Sequence, residues 1–452
     1  MKILRFDETD LSAELASLSA TLGFSSGMVS ADSSEKTLAV LGEALSPLEA
    51  VRRILSEVQK DGDAAVLDYA QRLDGVSLTP ETLRVSREEM AAAYDSIPAN
   101  LKKALARAKE NIWQYQEHIK VRPPSPMHNP EGGMLSLQYR PLNRVGVYVP
   151  GGQAGYPSTV LMTAIPAQVA GVKEIAMVTP CAPDGTVRPE TLAAAHEAGL
   201  HEVYRVGGAH AIGALAYGTK TIPSVDKIVG PGNLFVTLAK REVYGQVDLD
   251  MLAGPSEVLI IADESAIPRF LAADLLSQAE HDPAASVLLT PNLGIAENTL
   301  GEIDAQLKTL SRGAAARACL ERYGFIGVTR DLDQAVALAD QFAPEHLEVV
   351  VKNPEDVLPH LHAAGAVFAG SFTPEPVGDY LAGPSHVLPT GGTARFFSGL
   401  NVNDFLRRSS HMVYTKEALQ QSVEDIEVLA RAEGLDAHAR SATIRFESEA
   451  NP

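Results

Sequence analysis

Short runs of β-branched residues alternate with helical stretches between residues 144 and 370, and this alternation constrains the fold more than any other feature. The runs RVGVYV, EIAMV, EVY and DKIV are separated by helical stretches such as STVLMTAIPAQVAGV. Strands that alternate with helices predict a parallel sheet covered by helices on both faces. The alternation starts again after DMLAGPSEVLIIAD. We therefore expect an α/β protein with two Rossmann-like parallel-sheet domains, residues 141–255 and 256–398.

The two ends of the chain have a helical pattern instead. Ser46, Pro47 and Glu49 combine an N-cap, a first-turn proline and a capping-box glutamate. We expect residues 1–140 to form a helical region that packs on the second α/β domain. Apolar residues recur at helical spacing from Leu419 to Ala430. Residues 399–452 are therefore predicted to form a helical arm without strands.

Composition excludes several classes of protein. The chain carries a formal net charge of -19 without a stripe of Lys or Arg, so nucleic acid is not an expected partner. Two cysteines are too few for a disulfide framework and indicate a reducing compartment. The N-terminus lacks the apolar core of a signal peptide, and the aliphatic stretches are too short to span a bilayer. We expect a cytoplasmic protein without a membrane partner.

Residue types that bind metal ions and transfer protons stand in separated clusters. They are Gln278 with His281 in SQAEHDP, Glu345 with His346 in APEHLE, Asp379 with His386 in VGDYLAGPSHVLPTGGTAR, and Glu433 with His438 in AEGLDAH. If folding gathers them, nitrogen and oxygen donors of this kind suit zinc-supported oxidation of an alcohol. Taken singly, Gln278 and His281 are explained better as surface polar groups near a helix end.

Glu345 and His346 are adjacent, and Pro344 before them favours the first turn of a helix. In that position both side chains would face one cleft. A helix N-terminus favours a carboxylate and disfavours a protonated imidazole. We therefore expect an ionised Glu345 and a neutral His346, the forms that general bases need.

The order of these motifs, together with DMLAGPSEVLIIAD and SHVLPTGGTARFFSGL, is similar to that of the histidinol dehydrogenase family. The resemblance covers about residues 140 to 445. It implies oxidation of L-histidinol through L-histidinal to L-histidine, with two NAD molecules and one zinc ion per subunit. It implies proton acceptors at Glu345 and His346. The zinc ligands that it implies are Gln278, His281, Asp379 and His438, which with Ser256, His346, His386 and Glu433 also contact the substrate.

The resemblance also implies an NAD site near Tyr148 and Asn233, at the carboxyl ends of strands of the first sheet. His210 stands where the family usually has a glutamine that contacts the cofactor, and Leu252 replaces a common proline. We include His210 among the candidate cofactor-binding residues.

We expect His346 to accept the hydroxyl proton in the first oxidation and Glu345 to activate water in the second. Glu433 and His438 lie on the C-terminal arm, far in sequence from the α/β domains. The resemblance implies that they complete the site of the other subunit, so we expect a homodimer with shared sites.

Three other interpretations stay open. A paralogous zinc and NAD dehydrogenase would oxidise another small primary alcohol to a carboxylate. A zinc hydrolase would use Glu345 as the base for a metal-bound water. A non-catalytic binding protein would have no reason to retain the ligands and both bases together. The segment STVLMTAIPA is similar to that of the histidinol enzymes, which favours oxidation of L-histidinol over these three alternatives.

Overall fold

The computed structural model describes residues 1–22, 37–38, 41–151, 155–281 and 283–447. Gly152 of the VPGG motif, Asp282 of SQAEHDP and residues 448–452 of the predicted arm lie outside the described residues. The strands are β1 (Lys2–Arg5), β2 (Met127–His128), β3 (Met134–Pro141), β4 (Arg144–Tyr148), β5 (Glu174–Val178), β6 (Glu202–Tyr204), β7 (Lys227–Val229), β8 (Asp248–Leu249), β9 (Ser256–Ala262), β10 (Ala284–Thr290), β11 (Gly324–Val328), β12 (His346–Val350), β13 (Ala366–Ala369) and β14 (Leu406–Val413).

The α-helices are α1 (Leu11–Leu22), α2 (Pro47–Asp61), α3 (Asp63–Tyr69), α4 (Pro80–Leu83), α5 (Arg87–Ser96), α6 (Ala99–Ile119), α7 (Pro157–Ala170), α8 (Pro189–Glu197), α9 (Gly208–Tyr217), α10 (Leu234–Val243), α11 (Pro268–Ala279), α12 (Leu293–Gln306), α13 (Gly313–Tyr323), α14 (Leu332–Phe342), α15 (Pro354–Val357), α16 (Glu375–Tyr380), α17 (Lys416–Ala432) and α18 (Asp436–Thr443). A π-helical turn spans Ala70–Asp74, and short 3₁₀ turns span Leu358–His360, Thr393–Arg395, Val402–Phe405 and Ile444–Phe446. Across the described residues, each helix is too short or too polar to cross a membrane.

The chain divides into two units, one of Met1–Ile119 with Leu142–Phe405 and one of Lys120–Pro141 with Leu406–Pro452. The first unit contains two parallel sheets. Five strands follow the order β6-β5-β4-β7-β8, and six follow the order β1-β11-β10-β9-β12-β13. Each order runs outward in two directions from a central pair, as in doubly wound folds. The predicted α/β class with two parallel sheets is confirmed.

The six-stranded sheet is buried on both faces because its central strands contain continuous apolar runs. Val258, Ile260 and Ala262 of β9 pack into one core with α11, α12 and α13. Leu259 and Ile261 point to the opposite core, which contains α1 and α14. Side chains of a strand alternate between the two faces, so a continuous apolar run fits a sheet covered on both sides.

We expected residues 1–140 to pack on the second α/β domain, but only part of residues 1–119 does so. β1 adds an edge strand to the six-stranded sheet beside β11, and α1 packs on α14. The helix α2 packs instead on α9 and α10, beside the five-stranded sheet. Its N-terminus has the predicted capping box between Ser46 and Glu49. Val51, Ile54, Leu55 and Val58 supply the apolar face that joins this core.

The second unit consists of an antiparallel sheet, β14-β3-β2, and the helices α17 and α18. The predicted helix from Leu419 to Ala430 is present in α17, and Gly434 at φ 74 separates it from α18. The prediction that this arm has no strand is wrong, because β14 pairs along its whole length with β3. The partner of β14 lies more than 260 positions earlier in the sequence, where local periodicity cannot reveal it.

Candidate functional site

A cavity of about 840 Å³ lies in the first unit, between the amino ends of strands in the six-stranded sheet and the carboxyl ends of strands in the five-stranded sheet. Parallel sheets usually bind ligands at their carboxyl ends, and the six-stranded sheet departs from that rule. Seven of the predicted site residues line the cavity: Ser256, His281, Glu345, His346, Asp379, His386 and Asn233.

Glu345 and His346 do not begin a helix. Ala343, at φ 52, ends α14, and His346 is the first residue of β12. The expected helix N-terminus is therefore wrong as the cause of their protonation states. Burial takes its place, because the exposed fraction of Glu345 is only 6% and that of His346 only 4%.

Four carboxyl groups lie near the start of β12, and we call them the acid cluster: Glu257, Glu345, Glu375 and Asp379. Burial raises the pKa of Glu257 and of Glu375 to about 8 and that of Asp379 to about 7. Burial, followed by the neighbouring charge of Glu257, raises the pKa of Glu345 well above its usual range. Without a bound cation, the raised pKa disfavours the ionised form of Glu345 that we expected.

Sequence reasoning missed Glu257 and Glu375. Glu257 lies at the start of the apolar strand β9, where its Oε1 accepts a hydrogen bond from the Gly391 amide at 3.2 Å. A charged residue inside an apolar strand is rare unless it has a role, and this was the available signal. Glu375 lies in TPEPVGD, where nothing local separates it from an ordinary first-turn acid.

His346 lies within 4.0 Å of three carboxyl groups of the acid cluster, those of Glu345, Glu375 and Asp379. Burial lowers its pKa to about 3, so the ring is neutral. Its Nδ1 lies 3.1 Å from Gln278 Oε1, which can only accept a hydrogen bond, so Nδ1 is the protonated nitrogen. Nε2 lies 3.7 Å from Asp379 Oδ1 and has no hydrogen-bond partner among the described residues. An acceptor nitrogen therefore faces the cavity region.

The predicted zinc ligands of the first unit come from α11, the turn after it, and α16. Gln278, near the end of α11, is fully buried, and its Nε2 has no hydrogen-bond partner among the described residues. His281 follows in the turn, with an exposed side chain that borders the cavity, and Asp379 lies on α16.

A second possible ligand group shares only Asp379 with the predicted set. One ligand atom each from His346, Glu375 and Asp379 lies within 4.8 Å of the other two. The unpartnered Glu375 Oε2 and His346 Nε2 belong to this group. Buried polar atoms normally have hydrogen-bond partners. Two buried ligand atoms without such partners are therefore consistent with a bound cation.

Glu433 and His438 belong to the second unit. Glu433 follows the last residue of α17, and His438 lies in α18. Both side chains are exposed.

His386 is held in one orientation by two hydrogen bonds. Its Nδ1 donates to the Asp379 carbonyl at 3.0 Å, and its Nε2 lies 3.1 Å from Thr159 Oγ1. Desolvation lowers its pKa to about 4, so the ring is neutral and the Thr159 hydroxyl is the donor. Ser256, at the first position of β9, lines the cavity nearby.

The three candidate cofactor residues line a second cavity of about 600 Å³ at the carboxyl end of the five-stranded sheet. Tyr148 ends β4, His210 lies in the first turn of α9, and Asn233 caps α10 and borders both cavities. The backbone approaches closely here, because a Cβ on Gly230 would lie 2.1 Å from the Tyr148 carbonyl oxygen. Only glycine fits this position at φ 113.

Comparison with known proteins gives one consistent result. A sequence profile described as histidinol dehydrogenase matches residues 43–446. A histidinol dehydrogenase of Rhodopirellula baltica is 48% identical over 433 residues, which cover 96% of this chain and 94% of that protein. One from Moorella thermoacetica is 52% identical over 399 residues, 88% of this chain and 94% of that protein.

The crystal structure of histidinol dehydrogenase from Elizabethkingia anophelis superposes with a TM-score of 0.88 at 35% identity, covering 99% of this chain and 98% of that one. Both sequence and fold agree over nearly the whole length. The chain belongs to the histidinol dehydrogenase family of NAD-dependent oxidoreductases.

Proposed function

We propose that the protein oxidises L-histidinol through L-histidinal to L-histidine, in histidine biosynthesis, with one zinc ion per subunit and two NAD molecules. The observation that carries the proposal is the neutral His346, whose unpartnered Nε2 lies within a cluster of buried carboxyl groups. The overall reaction consumes one water and two NAD, and yields the carboxylate, two NADH and three protons.

The residues that would hold zinc are Gln278, His281 and Asp379, with His438 supplied by a second copy of the chain. Two nitrogen and two oxygen donors form a set that suits zinc. A bound zinc ion would orient the amino alcohol and would favour the ionised form of the surrounding carboxyl groups. NAD, in the second cavity, would accept the hydride in each oxidation.

His346 acts as the proton acceptor of the first oxidation. Its Nδ1 hydrogen is directed at Gln278 Oε1, which leaves the Nε2 lone pair for the substrate hydroxyl. A pKa of about 3 would make this base weak. Ionised carboxylates would strengthen it, because Glu345 Oε2 and Glu375 Oε1 lie 3.9 and 3.7 Å from Nδ1 and would stabilise the imidazolium.

Glu345 acts in the second oxidation, where it removes a proton from the water that hydrates the aldehyde. Its Oε2 accepts a hydrogen bond from the Glu257 amide at 3.1 Å, which fixes the carboxyl group. Burial favours the protonated form of this carboxyl group, but a general base must be ionised. Glu345 must therefore lose its proton before the second oxidation. The second oxidation thus depends on the net charge of the site.

The first experiment counts the NADH formed per histidine from L-histidinol, with an expected ratio of two. Glu345→Gln should oxidise added L-histidinal at a rate lower by about 100-fold or more, as is typical for loss of a general base. It should still form the aldehyde from L-histidinol. Glu297→Gln, the same change on an exposed helix position, is the control. A ratio of one, or the same loss in both half-reactions, would contradict the proposed roles. Turnover only of another primary alcohol would favour the paralogous enzyme.

The second experiment decides between the two ligand groups. Zinc content is measured after dialysis for His281→Asn, for Glu375→Gln and for the exposed control His201→Asn. We expect His281→Asn to lose zinc and the other two to retain it. Zinc lost from Glu375→Gln and kept by His281→Asn would move the ion to the group of His346, Glu375 and Asp379.

We also propose a homodimer in which the arm of each chain completes the site of the other. The second unit leaves large apolar side chains exposed, among them Met412 at 70%, Val428 at 62% and Leu429 at 66%. Burial of these side chains against a second copy of the chain would remove their apolar surface from water. Mixing the inactive chains Glu345→Ala and His438→Ala should restore part of the activity. Recovery would be absent if the arm served its own chain.

A further inference from the structure

The second cavity has a wall that the five-stranded sheet does not supply. Leu41, Ile54 and Leu73 come from the N-terminal region, and they line the cavity together with Phe235 of α10. These side chains form an apolar surface suited to a flat heteroaromatic ring. The N-terminal region therefore takes part in building the cavity.

Among the described residues, Asp74 is the charged side chain that borders this apolar surface. It is the last residue of the π-helical turn, and Gly75 follows in a left-handed conformation. A negative charge is unfavourable at the carboxyl end of a helical segment. Its carboxyl group is largely desolvated, which raises its pKa to about 6. The local structure therefore gains nothing from an acid at this position.

The neighbour of Asp74 does not compensate its charge. His210 Nε2 lies 3.8 Å from Asp74 Oδ2, beyond hydrogen-bond distance. Burial lowers the pKa of His210 to about 3, so its ring is neutral. Both ring nitrogens lack a hydrogen-bond partner among the described residues, although the residue is 0% exposed. Unpaired buried polar groups are costly unless a ligand satisfies them.

We infer that Asp74 is a cofactor-specificity residue, whose carboxylate accepts hydrogen bonds from the vicinal hydroxyls of the adenosine ribose of NAD and repels the 2′-phosphate of NADP. The inference rests on the proposed use of NAD. Dinucleotide-binding folds place an acidic side chain on these hydroxyls for the same electrostatic reason. Here the acid comes from the N-terminal region, and the apolar wall beside it would hold the adenine.

The test uses Asp74→Asn and Asp74→Ala in the full-length protein, with Asp68→Asn as the control. Asp68 carries the same charge on the preceding helix, but its side chain is 56% exposed and pairs with Arg72. The dissociation constant of NADH is measured by fluorescence, and the KM and kcat for NAD and NADP are measured with L-histidinol. Thermal melting reports whether the variants fold.

Both Asp74 variants should raise the KM for NAD and the dissociation constant of NADH by about ten-fold or more, as expected for a lost charge-assisted hydrogen bond. The kcat should change by less than about two-fold, and the preference for NAD over NADP should fall. Asp74→Asn should melt at the same or a higher temperature, because it removes a buried charge. A purely structural aspartate would instead lower the melting temperature and leave the cofactor preference unchanged.

The outcomes separate this inference from the proposed function. Unchanged NADH binding and NADP preference in the variants, with normal histidinol oxidation, would overturn the role of Asp74 alone. Weaker NADH binding in variants of a protein that does not oxidise histidinol would support Asp74 and overturn the substrate. A wild-type protein that binds no NADH would overturn both.

Discussion

Zinc binding to the metal-free protein should release protons, because the acid cluster holds them when no cation is present. Burial raises the pKa of Glu375 to about 8 and that of Asp379 to about 7. A zinc ion next to these groups favours their ionised forms. His346 is already neutral and releases nothing.

The size of the effect follows from these pKa values. At pH 7, a carboxyl group with a pKa of about 8 is about 90% protonated, and one with a pKa of about 7 is about 50% protonated. Ionisation of Glu375 and Asp379 therefore releases about 1.4 protons per zinc ion at pH 7, and about 0.3 at pH 8.5. Burial also raises the pKa of Glu345, so ionisation of Glu345 on zinc binding would add to this release.

Isothermal titration in buffers of different ionisation enthalpy measures the number of protons released at each pH. Glu375→Gln should lower the number at pH 7 by about 0.9, the protonated fraction of that group. Glu297→Gln, on the exposed face of α12, should leave it unchanged. No release at pH 7, or the same release at pH 7 and pH 8.5, would refute the assignment of protonated carboxyl groups around the ion.

Three further predictions concern stability. Between pH 6.5 and 8.5 the metal-free protein should melt at progressively lower temperature, because the folded acid cluster binds more protons than the unfolded chain; saturating zinc should remove this dependence, and a flat profile in EDTA would contradict it. Gly230→Ala should lower the free energy of unfolding by about 3 kcal/mol in urea melts, since the added Cβ would collide with the Tyr148 carbonyl. The control Gly245→Ala should lower it by only about 1 to 2 kcal/mol, because no atom lies within 4 Å of the added Cβ. Arg144→Met should lower it by about 3 kcal/mol, because the buried guanidinium pairs with two carboxylates, and Lys2→Met, which breaks an exposed ion pair, should change it by less than about 0.5 kcal/mol.

The α/β architecture could be predicted because its strands are buried on both faces. Runs such as Val258 to Ala262 must be apolar at every position, and this pattern is visible in the sequence without knowledge of the partners. The exposed strand β14 has no such constraint, because most of its residues face solvent. Only its pairing with β3 makes it a strand.

The candidate site was predictable in part for a related reason. Gln278, His281 and His386 could be identified because the order of their motifs resembles that of a known family. Glu257 and Glu375 are common residue types, and their raised pKa values come from burial that only the fold produces. The effect of Pro344 was misjudged because the backbone returns to a strand at His346. Local helix preference was overridden by pairing with β9 and β13.

A group of buried carboxyl groups around one neutral histidine makes the metal-free protein less stable at neutral and alkaline pH. Each carboxyl group must either keep a proton or bear a desolvated charge, and either state costs free energy relative to a solvated carboxylate. A structure selected for stability alone would replace these residues with apolar ones of similar size. Their presence is explained if a cation neutralises them when bound, and the proton that each group then loses leaves a carboxylate next to His346. The feature that lowers stability without the ion thus strengthens the proton acceptor once the ion is bound.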